Sequence, residues 1–374
     1  MTDSARKHAS DRSGGTRKGS PGSEASRAHA PSIKDVAEKA GVSIATVSRT
    51  LNSPGIVADA TAKRVQDAVA QLGYRPNLFA KGLVTQQSRM IGISLPALHG
   101  EFYSDLMRAA DARAAELGYH LLVSSDSGGF TGLAPGGPAG MIDGLVMMIT
   151  ERSHIDLLRK SASLGLPITV LGSADALDDL RLDSVWFDNS VGTRDAVEHL
   201  LESTRPQDVI YVGGAEGNLD SHERREVFVR TMRDHGHTLS AEQVVNLDFS
   251  FEAGQAWASQ QLAAGKLRGA AILAGNDDLA VGIVDAALDA GLEIPNDLRV
   301  VGHDDSRLCR LIRPTLSSVH VPLAEVGRVA IELMTERLRV ILQQKDASGT
   351  KPGKPTRVRL GTALIQRHTS SIDD

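Results

Sequence analysis

The 374-residue chain predicts two fold classes in series: an all-α headpiece of helix-turn-helix type, then an α/β body of two parallel-sheet lobes. Three observations carry this expectation. Residues 32–51 hold two short helical stripes joined at a glycine. From Met90 onward, short β-rich runs alternate with helical segments, the rhythm of parallel sheets covered by helices. The charge is also divided: residues 1–90 contain 14 Lys/Arg against 7 Asp/Glu, and the remainder 27 against 39, within a net charge of −5. A basic module on an acidic body implies contact with nucleic acid at one end only.

The first helix opens at Ser32, a capping residue, with Asp35 close to capping-box spacing and placed where a negative charge suits a helix N-terminus. Ile33, Val36, Ala37 and Ala40 recur at helical spacing as its inner stripe. Gly41-Val42-Ser43 makes the turn, and Ser43 caps a second helix whose Val47 and Leu51 face inward. Ile44, Ala45, Ser48 and Arg49 are then left facing outward. Small and apolar residues beside an arginine suit thymine methyls and a guanine edge better than they suit solvent. The plainer alternative is an ordinary amphipathic hairpin, but the residues beyond Asn52 argue against it. A third helix is expected from about Asp59 to Leu72, with Val65, Ala68, Val69 and Leu72 inward and Gly73 closing it.

Next comes Tyr74-Arg75-Pro76-Asn77-Leu78-Phe79-Ala80-Lys81-Gly82-Leu83. Taken with the Val-Ser-x-x-Thr-Val-Ser-Arg core and the Leu-Gly-Tyr-x-Pro-Asn turn, this order resembles the DNA-binding headpiece and hinge of the LacI/GalR family of bacterial repressors. The match runs from Ser32 to about Leu95. The resemblance implies a regulator and not an enzyme: a homodimer on a palindromic operator, switched by a small-molecule effector such as a sugar or sugar derivative. Lys34, Thr46 and Lys63 would hold phosphates. Ile44, Ala45 and Arg49 would read base edges, with Ser43, Ser48 and Asn52 on the same surface. A hinge helix from Asn77 to Val84 would form on DNA, with Asn77 and Lys81 against it and Leu83 wedged into a minor-groove step. Gly82 weakens that helix, so its ordering should depend on DNA.

The expected domains are a disordered basic tail over 1–31, the headpiece over 32–76, a hinge and linker over 77–89 and the body over 90–374. The tail is polar, with Arg6, Lys7, Arg12, Arg17, Lys18 and Arg27 among Ser, Gly and Ala, and it lacks the apolar core of a secretory signal. Cys309 stands alone, which excludes an internal disulfide and fits a reducing cytoplasm. No apolar run is long enough to span a bilayer. The chain after Leu364-Ile365 shows no heptad helix, so a dimer rather than a tetramer is expected.

In the body, strands are expected at Met90–Leu95, Tyr119–Val123, Gly144–Ile149 and Pro167–Leu171, then at Asp208–Val212, Gln243–Leu247, Ala270–Ala274 and Leu298–Gly302. Two such sets suggest two lobes, with a cleft outside the carboxyl ends of the strands. The family resemblance implies a periplasmic-binding-protein-like regulatory domain crossed three times by the chain. Its first lobe would cover about 90–203 and its second about 204–320; a helix near 323–343 would return to the first lobe, and a last strand near 357–366 to the second.

Effector contacts are expected from the loops after those strands. Asn276 and Asp277 open a helix, where capping alone is the plainer role. Asp304, in Gly302-His-Asp-Asp305, could accept two hydroxyl hydrogen bonds from a polyol. The resemblance carries both loops, adds Arg225 in Ser221-x-x-x-Arg225 as the ligand-binding arginine, and places Phe249 against the ligand. Phe102 and Tyr103 are further aromatic candidates. No cofactor and no metal site is expected. The sequence also departs from the family pattern: Asp126–Gly140 is too rich in Gly and Pro for the usual helix, and Phe228-Val229 replaces the Gly-aromatic pair near Arg225. Rival readings fare worse. A Rossmann-type enzyme would need Gly-x-Gly-x-x-Gly after a strand, which Val212-Gly-Gly-Ala-Glu-Gly217 lacks. A plain solute-binding protein would have no use for residues 32–84, while a partner-controlled or nucleoside-controlled regulator of the same fold stays open.

Overall fold

The structure, a computed structural model, describes residues 31–52, 55–75, 87–96, 102–125, 141–163, 165–172, 180–346 and 354–371. The tail, the hinge residues Asn77, Lys81 and Leu83, and the Gly/Pro-rich segment 126–140 lie outside them. The chain divides into two compact units, residues 1–77 and 78–374.

The first unit contains α1 (Ile33–Ala40), α2 (Ile44–Asn52) and α3 (Asp59–Leu72). A capping box opens α1: the Ser32 N–H donates to Asp35 Oδ2 at 2.7 Å, and the Asp35 N–H donates back to Ser32 Oγ at 3.4 Å. Gly41, at φ 63°, closes it in the left-handed conformation that the tight turn into α2 requires. The Thr46 N–H donates to Ser43 Oγ at 3.2 Å, which caps α2. Val36, Ala37, Ala40, Val47, Val65 and Ala68 form a small buried core, flanked by Ile33, Val42, Leu51, Val69, Leu72 and Tyr74.

Among the described residues, the second unit holds two six-stranded sheets. In the first lobe they are β1 (Met90–Ser94), β2 (His120–Ser124), β3 (Gly144–Met148), β4 (Ile168–Leu171), β5 (Asp183–Asp188) and β11 (Arg357–Gly361), in the order β11-β5-β4-β3-β1-β2 and all parallel. The second lobe has β6 (Val209–Gly213), β7 (Val244–Asn246), β8 (Ala270–Ala274), β9 (Leu298–Asp304), β10 (Ser317–His320) and β12 (Ala363–Ile365), in the order β12-β10-β9-β8-β6-β7. Only β12 runs antiparallel to its neighbour, β10. Alternate residues of each central strand feed cores on opposite faces. In β3, Val146 and Met148 join one core while Leu145 and Met147 join the other. Ile272 and Leu273 of β8 divide in the same way. A strand buried on both faces reads as an unbroken apolar run, which is why these strands are legible without alternation.

The covering helices are α4 (Phe102–Glu116), α5 (Ser153–Ser163) and α11 (Leu323–Asp346) on the first lobe, and α6 (Asn189–Leu201), α7 (Leu219–Asp234), α8 (Phe251–Ala263) and α9 (Asp277–Asp289) on the second; a single turn, α10 (Leu308–Leu311), precedes β10. Two expected boundaries move. The first lobe hands over at Asp188–Asn189, not near residue 203, because Ala196, Val197 and Leu200 of α6 pack into the second lobe's core. The last strand is split between lobes: β11 pairs with β5, and β12 with β10. Thr362, between them, donates its hydroxyl to the Asp188 carbonyl at 2.6 Å and accepts the Gly192 N–H at 3.1 Å, tying two of the three crossings together. No helix among the described residues is long and apolar enough to cross a membrane.

Candidate DNA-reading face and ligand cleft

On the first unit, α2 turns Val47 wholly inward and leaves Ile44, Ala45 and Arg49 exposed. Ile44 is 44% exposed, one of few large apolar side chains so placed. Lys34 of α1 and Lys63 of α3 are exposed as well. Thr46 is half-buried and its hydroxyl lies 2.9 Å from Ser43 Oγ, so it serves the cap as well as any outside partner. Ser43 is exposed, Ser48 half-buried, and Asn52 is the last residue of α2. An exposed isoleucine beside alanine and arginine, on a helix held by a capped turn, can present methyls and a planar donor fork to base edges.

On the second unit, a cavity of about 310 Å³ opens between the lobes. The first lobe contributes Pro96, Phe102, Tyr103, Met148, Thr150 and Glu151; the second contributes Asn218, Asp220, Arg224, Phe249, Asn276, Asp278 and Asp304. These residues follow β1, β3, β6, β7, β8 and β9, at the carboxyl ends of the strands where an open α/β sheet leaves room for a ligand. A seam closes one side of it. The Leu219 N–H donates to the Thr150 carbonyl at 2.8 Å, Glu151 and Asn218 form an isolated bridge, and Leu219 packs on the first lobe's core.

Of the residues expected there, Phe102, Tyr103, Phe249, Asn276 and Asp304 line the cavity. Phe102 and Tyr103 meet edge to face at 5.0 Å between centroids. Asn276 does two things: its Oδ1 accepts the Leu279 N–H at 2.9 Å, capping α9, and its side chain borders the cleft. Asp304 is buried and held at φ 113°, a conformation that costs a non-glycine residue energy and recurs at functional sites.

Two expectations are corrected. Asp277 does not reach the cleft. It is buried beneath it, where its Oδ2 accepts from the Ser306 N–H at 2.7 Å and Cys309 Sγ at 3.1 Å, and its Oδ1 from Ser318 Oγ at 2.6 Å. It ties the start of α9 to the segments after β9 and within β10, and Asp278 lines the cavity instead. Burial pushes the Asp277 carboxyl up to about 6, against the pull of those donors. Gly302 makes this possible: a Cβ there would stand 2.3 Å from Asp277 Oδ1.

Arg225 also falls outside. It faces a separate cavity of about 180 Å³ with His222, Asn246 and residues 214–218, its Nη2 3.2 Å from His222 Nδ1. Arg224 lines the cleft. Its Nε donates to Asn189 Oδ1 at 3.0 Å, and its Nη1 donates to the Gly275 carbonyl. The Asn189 amide in turn donates to Asp220 Oδ1 at 3.1 Å and Glu223 Oε2 at 2.8 Å. Asn189 is fully buried at the first crossing between lobes, so this network joins the cleft to the pivot. Of the Phe228-Val229 pair near Arg225, Phe228 is fully buried and stacks on Tyr211 at 5.5 Å. Glu151, Asp220 and Glu223 belong to no recognisable motif; for the last two, their spacing on α7, at i and i+3, is the sole signal in the sequence.

A capped helix-turn-helix on one unit and a strand-end cleft in a two-lobed body on the other are the architecture of a DNA-binding regulator. Similarity to known proteins agrees. A family profile of bacterial regulatory proteins, lacI family, matches residues 32–77, and one of a periplasmic binding protein-like domain matches residues 197–370. Catabolite control protein A of Priestia megaterium is 30% identical over 310 residues, covering 81% of this chain and 91% of its own. The ribose operon repressor of Escherichia coli K12 is 29% identical, covering 84% and 95%. The lac repressor dimer bound to operator and the anti-inducer ONPF superposes with a TM-score of 0.75 at 27% identity, over 91% and 99% of the two chains. The chain belongs to the LacI family of DNA-binding transcriptional regulators, and its relatives are regulators rather than enzymes.

Proposed function

We propose that the protein is a repressor that binds a palindromic operator as a homodimer and is switched by a small, hydroxyl-rich effector held between the two lobes. The cleft carries this reading: aromatic Phe102, Tyr103 and Phe249 surround polar Asn276, Arg224 and Asp304, the pairing of flat apolar faces with donors and acceptors that a sugar-like molecule needs. On the DNA side, Arg49 contacts a guanine, Ile44 and Ala45 pack against thymine methyls, Ser43, Ser48 and Asn52 complete the reading surface, and Lys34, Thr46 and Lys63 hold phosphates. The hinge residues Asn77, Lys81 and Leu83 act on the minor groove, with Leu83 as the wedge. An effector that favours one lobe angle shifts the DNA-competent population, and a tenfold change in operator affinity requires about 1.4 kcal/mol of differential binding.

Selection of genomic fragments with the full-length protein tests both halves. One palindromic site with a central pyrimidine–purine step is expected, and Arg49→Ala should weaken it by about 1–3 kcal/mol and relax preference at one base pair. A pooled metabolite extract should then shift its affinity. Recovery of only salt-sensitive, sequence-independent DNA, with and without the extract, would overturn the assignment of α2.

A further inference from the structure

The chain enters the body through Ser88-Arg89-Met90, and one carboxylate holds that entry. Asp143, just before β3, accepts the Ser88 N–H at 2.7 Å and the Ser88 hydroxyl at 2.9 Å on Oδ1, and the Arg89 N–H at 2.9 Å on Oδ2. Its own N–H donates to the Met90 carbonyl at 2.8 Å, and the His120 N–H, at the start of β2, donates to the Arg89 carbonyl at 2.9 Å. The Met90 N–H donates to Ser88 Oγ at 3.1 Å. Arg89 stands at φ 57°, a left-handed conformation that residues other than glycine seldom adopt, and its guanidinium lies 5.2 Å from the centre of the Tyr119 ring. The mounting beneath is firm. Gly144, first in β3, is so close to α11 that a Cβ would stand 2.3 Å from Sδ of the fully buried Met334.

Sheet bonding by itself reaches back no further than the Arg89 carbonyl. The Asp143 carboxylate extends that hold outward to Ser88, with both of its oxygens engaged, and hydrogen bonds to charged acceptors are the stronger kind. Little is buried by it: Ser88 and Asp143 are half-buried and Arg89 is exposed. What the clamp determines is a direction. The chain between body and headpiece departs from this point. In a dimer on a palindrome, two such departures, related by the two-fold axis, govern how far apart and at what rotation the two reading helices can stand. We propose that Asp143 is a positioning residue for operator recognition: by clamping Ser88 and Arg89 it fixes the exit of the linker and makes the protein selective for one half-site spacing. This rests on the palindromic-operator reading above.

The affinity of the full-length protein for its selected operator, and for versions with one base pair added or removed at the centre, tests it. Each change moves the half-sites by about 3.4 Å and turns them by roughly 34°. The parent protein should lose at least tenfold. Asp143→Asn keeps one carbonyl oxygen but sets an amide donor against a donor of the clamp. It should narrow the loss to threefold or less, with Tm and affinity for a single half-site close to the parent's. Ser88→Ala, which removes one donor, should narrow the loss as well, and Ser88→Thr, which keeps the hydroxyl, should restore it. A merely structural role would move Tm or half-site affinity and leave the spacing ratio alone. The parent's ratio in Asp143→Asn, or in Ser88→Ala should Asp143→Asn fail to fold, overturns the inference. A parent indifferent to spacing overturns it too and leaves the operator reading standing; a parent that selects no operator removes that reading, and the inference with it.

Discussion

One residue along an α-helix is a rotation of about 100°, and at Arg224 and Arg225 that rotation decides which guanidinium borders the cleft. Arg224 is buried against Asn189 and Gly275, whereas Arg225 lies beside His222 at another cavity. Arg224→Gln is therefore expected to cost effector binding about 1.5–3 kcal/mol, and Arg225→Gln to leave it within twofold, both read by titration on variants whose thermal unfolding is checked. Equal losses would return Arg225 to the site. Asp277 makes a different prediction. Because burial raises its carboxyl to about 6 from 3.8, the folded protein holds that proton more tightly than the unfolded chain does. Its contribution to stability is thus greatest below pH 4 and falls as pH rises through 6. In denaturant titrations between pH 4 and 7, the deficit of Asp277→Asn relative to the parent should shrink as pH rises; a deficit that grows would mean that Ser306, Cys309 and Ser318 outweigh burial.

Among elements, α8 and α9 approach closely because both carry glycine where they cross. A Cβ on Gly282 would stand 2.1 Å from the Phe251 carbonyl, and one on Gly254 would stand 2.4 Å from that of Leu279. Backbone cannot yield as a side-chain tip can, so Gly282→Ala should destabilise the body by at least about 1–3 kcal/mol, a fall of about 3–8 °C in Tm. A Tm within 1 °C of the parent would refute the close packing. This is also where motif and structure part. Asn276-Asp277-x-x-Ala-x-Gly282 reads as a binding motif, but it is three functions in sequence: Asn276 caps and lines the cleft, Asp277 braces the loops beneath, and Gly282 lets two helices meet. Spacing marks such a segment as special without saying which of its side chains faces a ligand.

Across the body as a whole, the lobes are joined both at the crossings and along the seam where Leu219 donates to Thr150 and packs on the first lobe. Leu219→Ala removes part of that apolar contact, at about 1–2 kcal/mol, without touching the residues that line the far wall. Effector release should accelerate several-fold, and the effector-free body should show a larger radius of gyration by X-ray scattering. Unchanged release and radius would mean that the crossings alone set the lobe angle.

The two fold classes, the capped turn between α1 and α2, the outward set Ile44, Ala45 and Arg49, and most strands were all legible in the order of residues. Each depends on local periodicity, capping chemistry or apolar runs, which need no knowledge of distant neighbours. Which residues meet across the cleft was not legible there. Asp220, Glu223 and Arg224 gain their meaning from Asn189, some thirty positions away in sequence yet within hydrogen-bond reach. The handover at Asp188 and the division of the last strand between sheets were likewise settled by which core could bury α6 and by a hydroxyl at Thr362 that binds two crossings. Burial and long-range hydrogen bonding are properties of the folded chain, and no spacing of letters encodes them directly.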